Sequence, residues 1–160
     1  MIMEREEFYG LRERAECKEA LSEEELKRLE PYQVDNAIIM AAGYSARCMP
    51  LSNVMPKGLF RVKDEILIER EIEQLVEAGI TEIIVVTGFM SEKFAYLKDK
   101  YGVILIYNED YDKYNNMASL YAAKEYMRNS YILCSDNYYE QNVFCKYQFE
   151  PYYSCVYSED

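Results

Sequence analysis

Short apolar runs that alternate with helical patterns limit the folds this sequence can adopt. Residues 36–42, 82–87, 103–107 and 130–134 are predominantly apolar, and the first of them has no polar alternation. Runs of this kind are typical of strands that are buried on both faces. Because strands alternate with helices along the chain, the sequence predicts an α/β fold with a mostly parallel, mixed sheet flanked by helices.

The segments between these runs predict helices and one long loop. Residues 67–78 carry an apolar stripe of Ile68, Ile72, Leu75 and Val76, and Gly79 follows where a helix would end. Short helices are predicted at residues 91–98 and after Asn115 and Asn116. Glycines and prolines in residues 43–60 predict a loop.

The N-terminal region differs from the rest in its charge and its pattern. Residues 3–30 are rich in Glu, Lys and Arg, and they predict one or two amphipathic helices that end at Pro31. Ser22 and Glu25 have the spacing of a capping box. We therefore expect a helical extension over residues 1–34 and a separate domain over residues 35–160.

Composition excludes several classes of function. The chain has 29 Asp and Glu against 18 Lys and Arg, a net charge of -11, which disfavours nucleic acids and anionic membranes as partners. It contains no histidine, which excludes Ser-His and Cys-His nucleophiles. No apolar run approaches the roughly 20 residues of a membrane helix. Five scattered cysteines, without a signal-peptide pattern at the N-terminus, predict reduced thiols and a cytoplasmic protein.

Polar and small residues follow the predicted strands. Gly43, Thr87, Asn108 and Asp136 all fall at the carboxyl ends of these strands. Ligands of open α/β sheets bind at that edge, so the sequence predicts a binding site there.

The loop after the first strand combines small residues with two cations. Ala42, Gly43, Ser45 and Ala46 would let backbone N–H groups approach phosphate oxygens. Arg47 and Lys57 would add a forked donor and a point charge. The spacing matches neither Gly-Lys-Ser/Thr nor Gly-x-Gly-x-x-Gly, and a simple turn with two surface cations explains it equally well.

Three other groups are candidates for binding. Asp136 could hold Mg²⁺ or cap a turn. Asn115, Asn116 and Ser119 could contact a base, a ribose or a substrate, or could begin a helix. Among the 17 tyrosines, candidates for cation–π contact with a quaternary ammonium group are Tyr138, Tyr139, Tyr152 and Tyr153.

Residues 37–59 resemble the signature of nucleotidyltransferases that activate sugar phosphates and phosphocholine. The usual form is Ala-Ala-Gly-x-Gly-(Ser/Thr)-Arg, then Pro-Leu, then Pro-Lys. Residues 114–121 and 135–137 are most similar to the bacterial CTP:phosphocholine cytidylyltransferases. The resemblance implies a Rossmann-like nucleotidyltransferase fold for residues 35–160.

The resemblance also implies a reaction and a set of site residues. The phosphate of phosphocholine would attack the α-phosphorus of CTP and release pyrophosphate, with Arg47 and Lys57 as catalytic residues and Mg²⁺ on Asp136. The implied nucleotide-binding residues are Ala41, Ala42, Gly43, Tyr44, Ser45, Ala46, Arg47, Lys57, Thr87, Asn115, Asn116 and Ser119. The alternatives are a sugar-1-phosphate nucleotidyltransferase that uses UTP or dTTP, and a non-catalytic nucleotide-binding module.

The sequence departs from the family pattern in three respects. Ser45 replaces the usual second glycine, and Ala46 replaces the usual hydroxyl residue. No residue matches the second acidic metal ligand of the family, so we expect the domain to be incomplete at its C-terminal end. Residues 149–160 resemble a mid-domain strand. An incomplete sheet would expose a strand edge and favour a homodimer.

Overall fold

The structure of the protein is a computed structural model that describes residues 3–155. The chain divides into two compact units, Asp35–Phe144 and a second that joins Met1–Val34 with Cys145–Asp160. The division predicted from the sequence, residues 1–34 and 35–160, stays a prediction. Among the described residues, no helix combines the length and the apolar character that a membrane span requires.

The elements follow the predicted alternation. The strands are β1 (Asn36–Ala41), β2 (Arg61–Val62), β3 (Glu65–Ile66), β4 (Ile83–Thr87), β5 (Ile104–Tyr107) and β6 (Ser130–Cys134). The α-helices are α1 (Arg5–Glu16), α2 (Glu23–Leu29), α3 (Leu67–Glu77), α4 (Tyr96–Tyr101) and α5 (Asn116–Ala122). One-turn 3₁₀ helices interrupt the loops, and the segment predicted as a helix at residues 91–98 is divided between such a turn, Ser91–Phe94, and α4.

The four-stranded sheet has the order β5-β4-β1-β6, and all of its pairings are parallel. This confirms the predicted α/β fold class. The central strand β1 contributes Ala37, Ile38 and Ile39, which are fully buried. Because the strands are parallel, their carboxyl ends meet at one edge, where Met40 of β1 is in register with Cys134 of β6. The short strands β2 and β3 form an antiparallel ribbon.

Helix α3 buries a face that is rotated from the predicted one. Ile68, Ile72 and Leu75 are fully buried as expected, but Val76 is 45% exposed. Glu71, which is 1% exposed, is buried instead. Position 71 lies three residues after 68 and four before 75, so it shares their face of the helix, whereas position 76 is turned away.

The second unit contains α1, α2 and the C-terminal segment. The predicted capping box at the start of α2 is confirmed: Ser22 Oγ accepts from the backbone N–H of Glu25, whose carboxylate accepts from the N–H of Ser22. The Phe149 ring stacks on Tyr32 at 5.5 Å between centroids. The expectation that residues 149–160 form a strand is wrong for residues 149–155, none of which lies in a strand. Residues 156–160 lie outside the described part.

Candidate active site

A cavity of about 320 Å³ lies at the carboxyl edge of the four-stranded sheet. Its walls come from the ends of β1 and β6, from the loop after β1 and from the start of α5. The lining residues are Met40, Ala41, Gly43, Ser45, Arg47, Cys48, Lys57, Gly58, Asn116, Cys134, Ser135 and Asp136. The edge of the sheet that the sequence predicted for a ligand is therefore the edge that carries a cavity.

Several predicted site residues meet in this cavity. They are Ala41, Gly43, Ser45, Arg47, Lys57, Asn116 and Asp136. They come from segments far apart in the sequence, and the parallel sheet brings these segments together at its carboxyl edge. The cavity thus combines small residues, two cations and a carboxylate.

Other predicted site residues make contacts within the fold. Tyr44 packs edge-on against Phe89 at 4.5 Å between ring centroids. The Thr87 hydroxyl donates to the carbonyl of Ile106, at 3.2 Å. The cavity lining, as far as the described residues define it, does not include Ala42, Tyr44, Ala46, Thr87, Asn115 or Ser119. Their contact with a nucleotide stays a prediction.

Two of the predicted polar residues stabilise helix α5 and its surroundings. Asn115 is the N-cap of α5, and its side-chain oxygen accepts from the backbone N–H of Met117 at 3.1 Å. The Ser119 hydroxyl accepts from the Asn108 side-chain amide at 3.3 Å. These bonds fix the helix that presents Asn116 to the cavity.

The loop after β1 contains a residue in a strained backbone conformation. Ser45 has φ 54° and ψ 43°, in the left-handed region. Residues other than glycine adopt this region at a cost of about 1–2 kcal/mol. The family signature has glycine at this position, so the loop keeps a conformation that favours glycine although the residue has changed. The one-turn helix Ala46–Cys48 follows and presents Arg47.

Lys57 and Asp136 form an ion pair in the cavity. Lys57 Nζ donates a hydrogen bond to Asp136 Oδ2. The two side chains are 34% and 30% exposed, so the pair is partly screened from water but accessible to a ligand. Lys57 begins the one-turn helix Lys57–Leu59, and Asp136 lies just beyond β6. The pair places a cation beside the predicted metal ligand.

A buried carboxylate near Asp136 was not predicted from the sequence. Both side-chain oxygens of Glu71 are buried and have no hydrogen-bond partner within the described residues. Burial, and then the charge of Asp136, raise the Glu71 pKa well above its ordinary value of 4.5. The signal in the sequence was a glutamate on the apolar stripe of α3.

The thiol at the end of β6 is not activated. Burial, followed by the charges of Asp136 and Glu71, raises the pKa of Cys134, and Lys57 opposes this shift. A thiol with a raised pKa carries little thiolate at neutral pH. Cys134 therefore lines the cavity but is not activated as a nucleophile.

Two of the four tyrosines proposed for an ammonium ligand are engaged elsewhere. The guanidinium of Arg70 lies 4.7 Å from the ring centroid of Tyr138. The Tyr139 ring packs edge-on against Phe144 at 5.3 Å. Tyr152 and Tyr153 are exposed and belong to the second unit. Within residues 3–155, the cavity lining contains none of the four.

The donor set of the cavity suits one metal of the magnesium type. Residues 3–155 contain no cluster of three or more acidic or cysteine side chains that could enclose a metal ion. Mg²⁺ does not need such a cluster, because it keeps several waters and uses one or two carboxylates with substrate phosphates. Asp136, beside Arg47 and Lys57, fits that requirement.

Comparisons with known proteins show which sequences this chain resembles. A family model described as nucleotidyl transferase matches residues 36–149. The chain is 46% identical to the choline-phosphate cytidylyltransferase of Streptococcus pneumoniae over 78% of this chain and 54% of that protein. It is 37% identical to the Haemophilus influenzae choline-phosphate cytidylyltransferase, over 68% of this chain and 47% of that protein.

A solved structure has the same fold. The CTP:phosphocholine cytidylyltransferase of Streptococcus pneumoniae superposes with a TM-score of 0.68 and 48% identity, covering 69% of this chain and 49% of that one. The chain spans about half the length of the curated relatives it matches.

Proposed function

Because the chain belongs to the nucleotidyl transferase family, we propose that it transfers a cytidylyl group from CTP to phosphocholine and releases pyrophosphate. The choice of cytidylyl and phosphocholine rests on the similarity to the two choline-phosphate cytidylyltransferases. The proposal includes an NTP and a phosphorylated small molecule as ligands and Mg²⁺ as the metal. Since the reaction consumes CTP, we place it in the cytoplasm.

One observation carries the proposal: Arg47, Lys57 and Asp136 line the same cavity as Gly43 and Ser45. The triphosphate of an NTP carries several negative charges, and this cavity opposes them with a guanidinium and an ammonium. The small residues let the chain approach the phosphate oxygens closely. The carboxylate would hold a cation that shares the phosphates.

The reaction needs little covalent chemistry from the protein. A phosphate oxygen of the acceptor attacks the α-phosphorus, the bond to the β-phosphate oxygen breaks, and that oxygen leaves with pyrophosphate. Arg47 and Lys57 orient the triphosphate and neutralise the charge that develops on it. Asp136 would hold Mg²⁺, which when bound polarises the phosphoryl oxygens. The mechanism requires no histidine, and the chain has none.

The test is release of pyrophosphate from CTP, phosphocholine and Mg²⁺. We expect Lys57→Ala to reduce the rate by about 100-fold or more, because it removes a charge that stabilises the transition state. Lys63→Ala is the matched control, since Lys63 forms an exposed ion pair with Glu140 outside the cavity. An equal loss in both variants would contradict the assigned role of Lys57.

A panel of ligands distinguishes the alternatives. Thermal shifts with CTP, UTP and dTTP, each with phosphocholine or glucose 1-phosphate, rank the nucleotide and acceptor, because a ligand that binds the folded state raises its melting temperature. The largest shift with UTP or dTTP and the sugar phosphate would identify a sugar-phosphate enzyme. Nucleotide binding without pyrophosphate release would identify a non-catalytic module.

A further inference from the structure

Gly58 and Ser135 are in close contact at the wall of the cavity. A Cβ atom built on Gly58 would lie 2.8 Å from both the Cβ and the Oγ of Ser135, and 3.2 Å from its carbonyl oxygen. Non-bonded carbon atoms are attractive at about 3.5–4.0 Å. Position 58 therefore has no room for a side chain as long as Ser135 keeps its own.

Neither backbone can easily withdraw from this contact. The N–H of Ser135 donates to the carbonyl of Met40 at 3.2 Å, which extends the pairing of β6 with β1. On the other side, Leu59 N–H donates to Pro56 at 2.9 Å and Phe60 N–H to Lys57 at 3.0 Å, and these bonds close the turn around Gly58. Gly58 and Ser135 are both buried.

The neighbours of these two residues in the chain are the ion pair of the cavity. Lys57 precedes Gly58, and Asp136 follows Ser135. The contact between Gly58 and Ser135 is thus one residue away, in each of the two segments, from the hydrogen bond between the Lys57 ammonium and the Asp136 carboxylate. Moving the two backbones apart would move the cation away from the carboxylate.

We propose that Gly58 and Ser135 are positioning residues, whose contact sets the spacing of Lys57 and Asp136 and so the geometry in which the metal-bound nucleotide is held. The part of this proposal that concerns the nucleotide rests on the proposed function. The part that concerns the spacing of Lys57 and Asp136 does not, and it is tested on the ligand-free chain.

The experiment compares Gly58→Ala with a double variant, Gly58→Ala/Ser135→Gly, which adds a Cβ at position 58 and removes the Cβ and Oγ at position 135. Gly10→Ala is the matched control, because a Cβ at Gly10 meets nothing within 4 Å. The first readout is the labelling rate of Lys57 by an amine-reactive reagent, followed by mass spectrometry of the ligand-free full chain. The second is the dissociation constant for CTP with Mg²⁺, measured by calorimetry.

We expect Gly58→Ala to label severalfold faster at Lys57, because the amine loses the carboxylate that shields it. Its affinity for CTP with Mg²⁺ should fall by about tenfold or more, since small displacements of binding groups have large effects. The double variant should return both values to within about twofold of the wild type. Ser135→Ala in place of Ser135→Gly should restore less, because the Cβ contact remains.

The outcomes separate this proposal from the proposed function. Unchanged Lys57 labelling in Gly58→Ala, or failure of the double variant to restore it, overturns the positioning role. If Gly58→Ala does not fold, Ser135→Gly alone opens the same contact without adding an atom, and it should also label faster at Lys57. If the variants label at Lys57 as expected but the wild-type chain does not bind CTP with Mg²⁺, the positioning contact is supported and the proposed function is contradicted.

Discussion

The Lys57 ammonium donates a hydrogen bond to the carboxylate of Asp136, 79 positions further along the chain. In the proposed reaction these two groups have different partners: Lys57 binds a phosphate and Asp136 binds the metal. In the structure each neutralises the other. Binding of a metal-bound nucleotide must therefore replace this ion pair, with the ammonium moving to the phosphates.

This exchange predicts opposite effects of Lys57→Met on metal and nucleotide. Without nucleotide, Mn²⁺ should bind Asp136 more tightly in the variant, because no ammonium competes for the carboxylate. Affinity for CTP with Mg²⁺ should fall, because the phosphates lose a cation. Electron paramagnetic resonance of Mn²⁺ measures the first effect and calorimetry the second.

Lys63→Met, which breaks an exposed ion pair with Glu140, should change neither. An unchanged Mn²⁺ affinity in Lys57→Met would contradict the exchange.

The buried Glu71 predicts a pH-dependent stability. Its pKa is raised in the folded state, so the folded chain binds this proton more tightly than the unfolded chain does. The resulting stability is fully present below the ordinary value of 4.5 and is lost as the pH rises through the folded pKa. We expect Glu71→Gln, which carries no titrating proton, to gain stability relative to the wild type as the pH rises from 4 to 8.

Urea unfolding at several pH values measures this difference in unfolding free energy. It should grow by about 1.4 kcal/mol for each pH unit between the ordinary and the folded pKa of Glu71. The difference in stability between the two chains at pH 4 is the reference, because at that pH it reflects the amide substitution alone. A difference between the two chains that stays constant from pH 4 to pH 8 would exclude the raised pKa.

The left-handed conformation of Ser45 predicts that glycine is better at this position. Ser45→Gly removes the strain of about 1–2 kcal/mol. It also increases the conformational entropy of the unfolded chain, which lowers the free energy of unfolding by about 0.4–1 kcal/mol. The net expectation is a gain of about 0–1.6 kcal/mol in the free energy of unfolding, centred near 0.8 kcal/mol. Ala46→Gly, in the adjacent one-turn helix, should instead lose stability. Urea denaturation of both variants decides this, and equal effects would argue against strain at Ser45.

Arg70 connects three segments of the α/β unit, so its replacement by lysine should be costly. Its guanidinium donates to both carboxylate oxygens of Glu65, at 2.7 and 2.8 Å, and to the carbonyls of Tyr139 and Glu140, at 2.9 and 2.8 Å. A lysine ammonium cannot reproduce this fork. We expect Arg70→Lys to lose about 1–3 kcal/mol of stability.

Arg61→Lys is the control for this prediction, because the exposed guanidinium of Arg61 donates, within the described part of the chain, only to the carbonyl of Asp64, at 2.8 Å. Its unfolding free energy should change by less than about 0.5 kcal/mol. Similar losses in the two variants would show that the fork of Arg70 contributes little.

Much of the sheet and part of the site could be predicted from the sequence. The apolar runs located β1 and β6 to within a residue. For β1 the reason is burial on both faces, which needs uninterrupted apolar side chains; β6 lies at the edge of the sheet and exposes Ile132. The shared edge of Gly43 and Asp136 was predicted because strands in a parallel sheet end at a common edge. The roles of Arg47 and Lys57 were implied by the family resemblance and stay predictions. The error at Val76 arose because helical periodicity gives the width of an apolar stripe but not which of its borders faces the sheet.

The sequence by itself determined where along the chain the four strands of the parallel sheet lie, since their positions depend on side-chain patterns within about 5 to 15 residues. It did not predict the short ribbon of β2 and β3. The tertiary structure alone decided that Lys57 faces Asp136 and that Gly58 lies against Ser135. It also decided that Glu71 is enclosed with no hydrogen-bond partner among residues 3–155. Each of these depends on the distance between backbones that are far apart in the chain. That distance is set by how strands, turns and α3 pack, and no local pattern of residues records it.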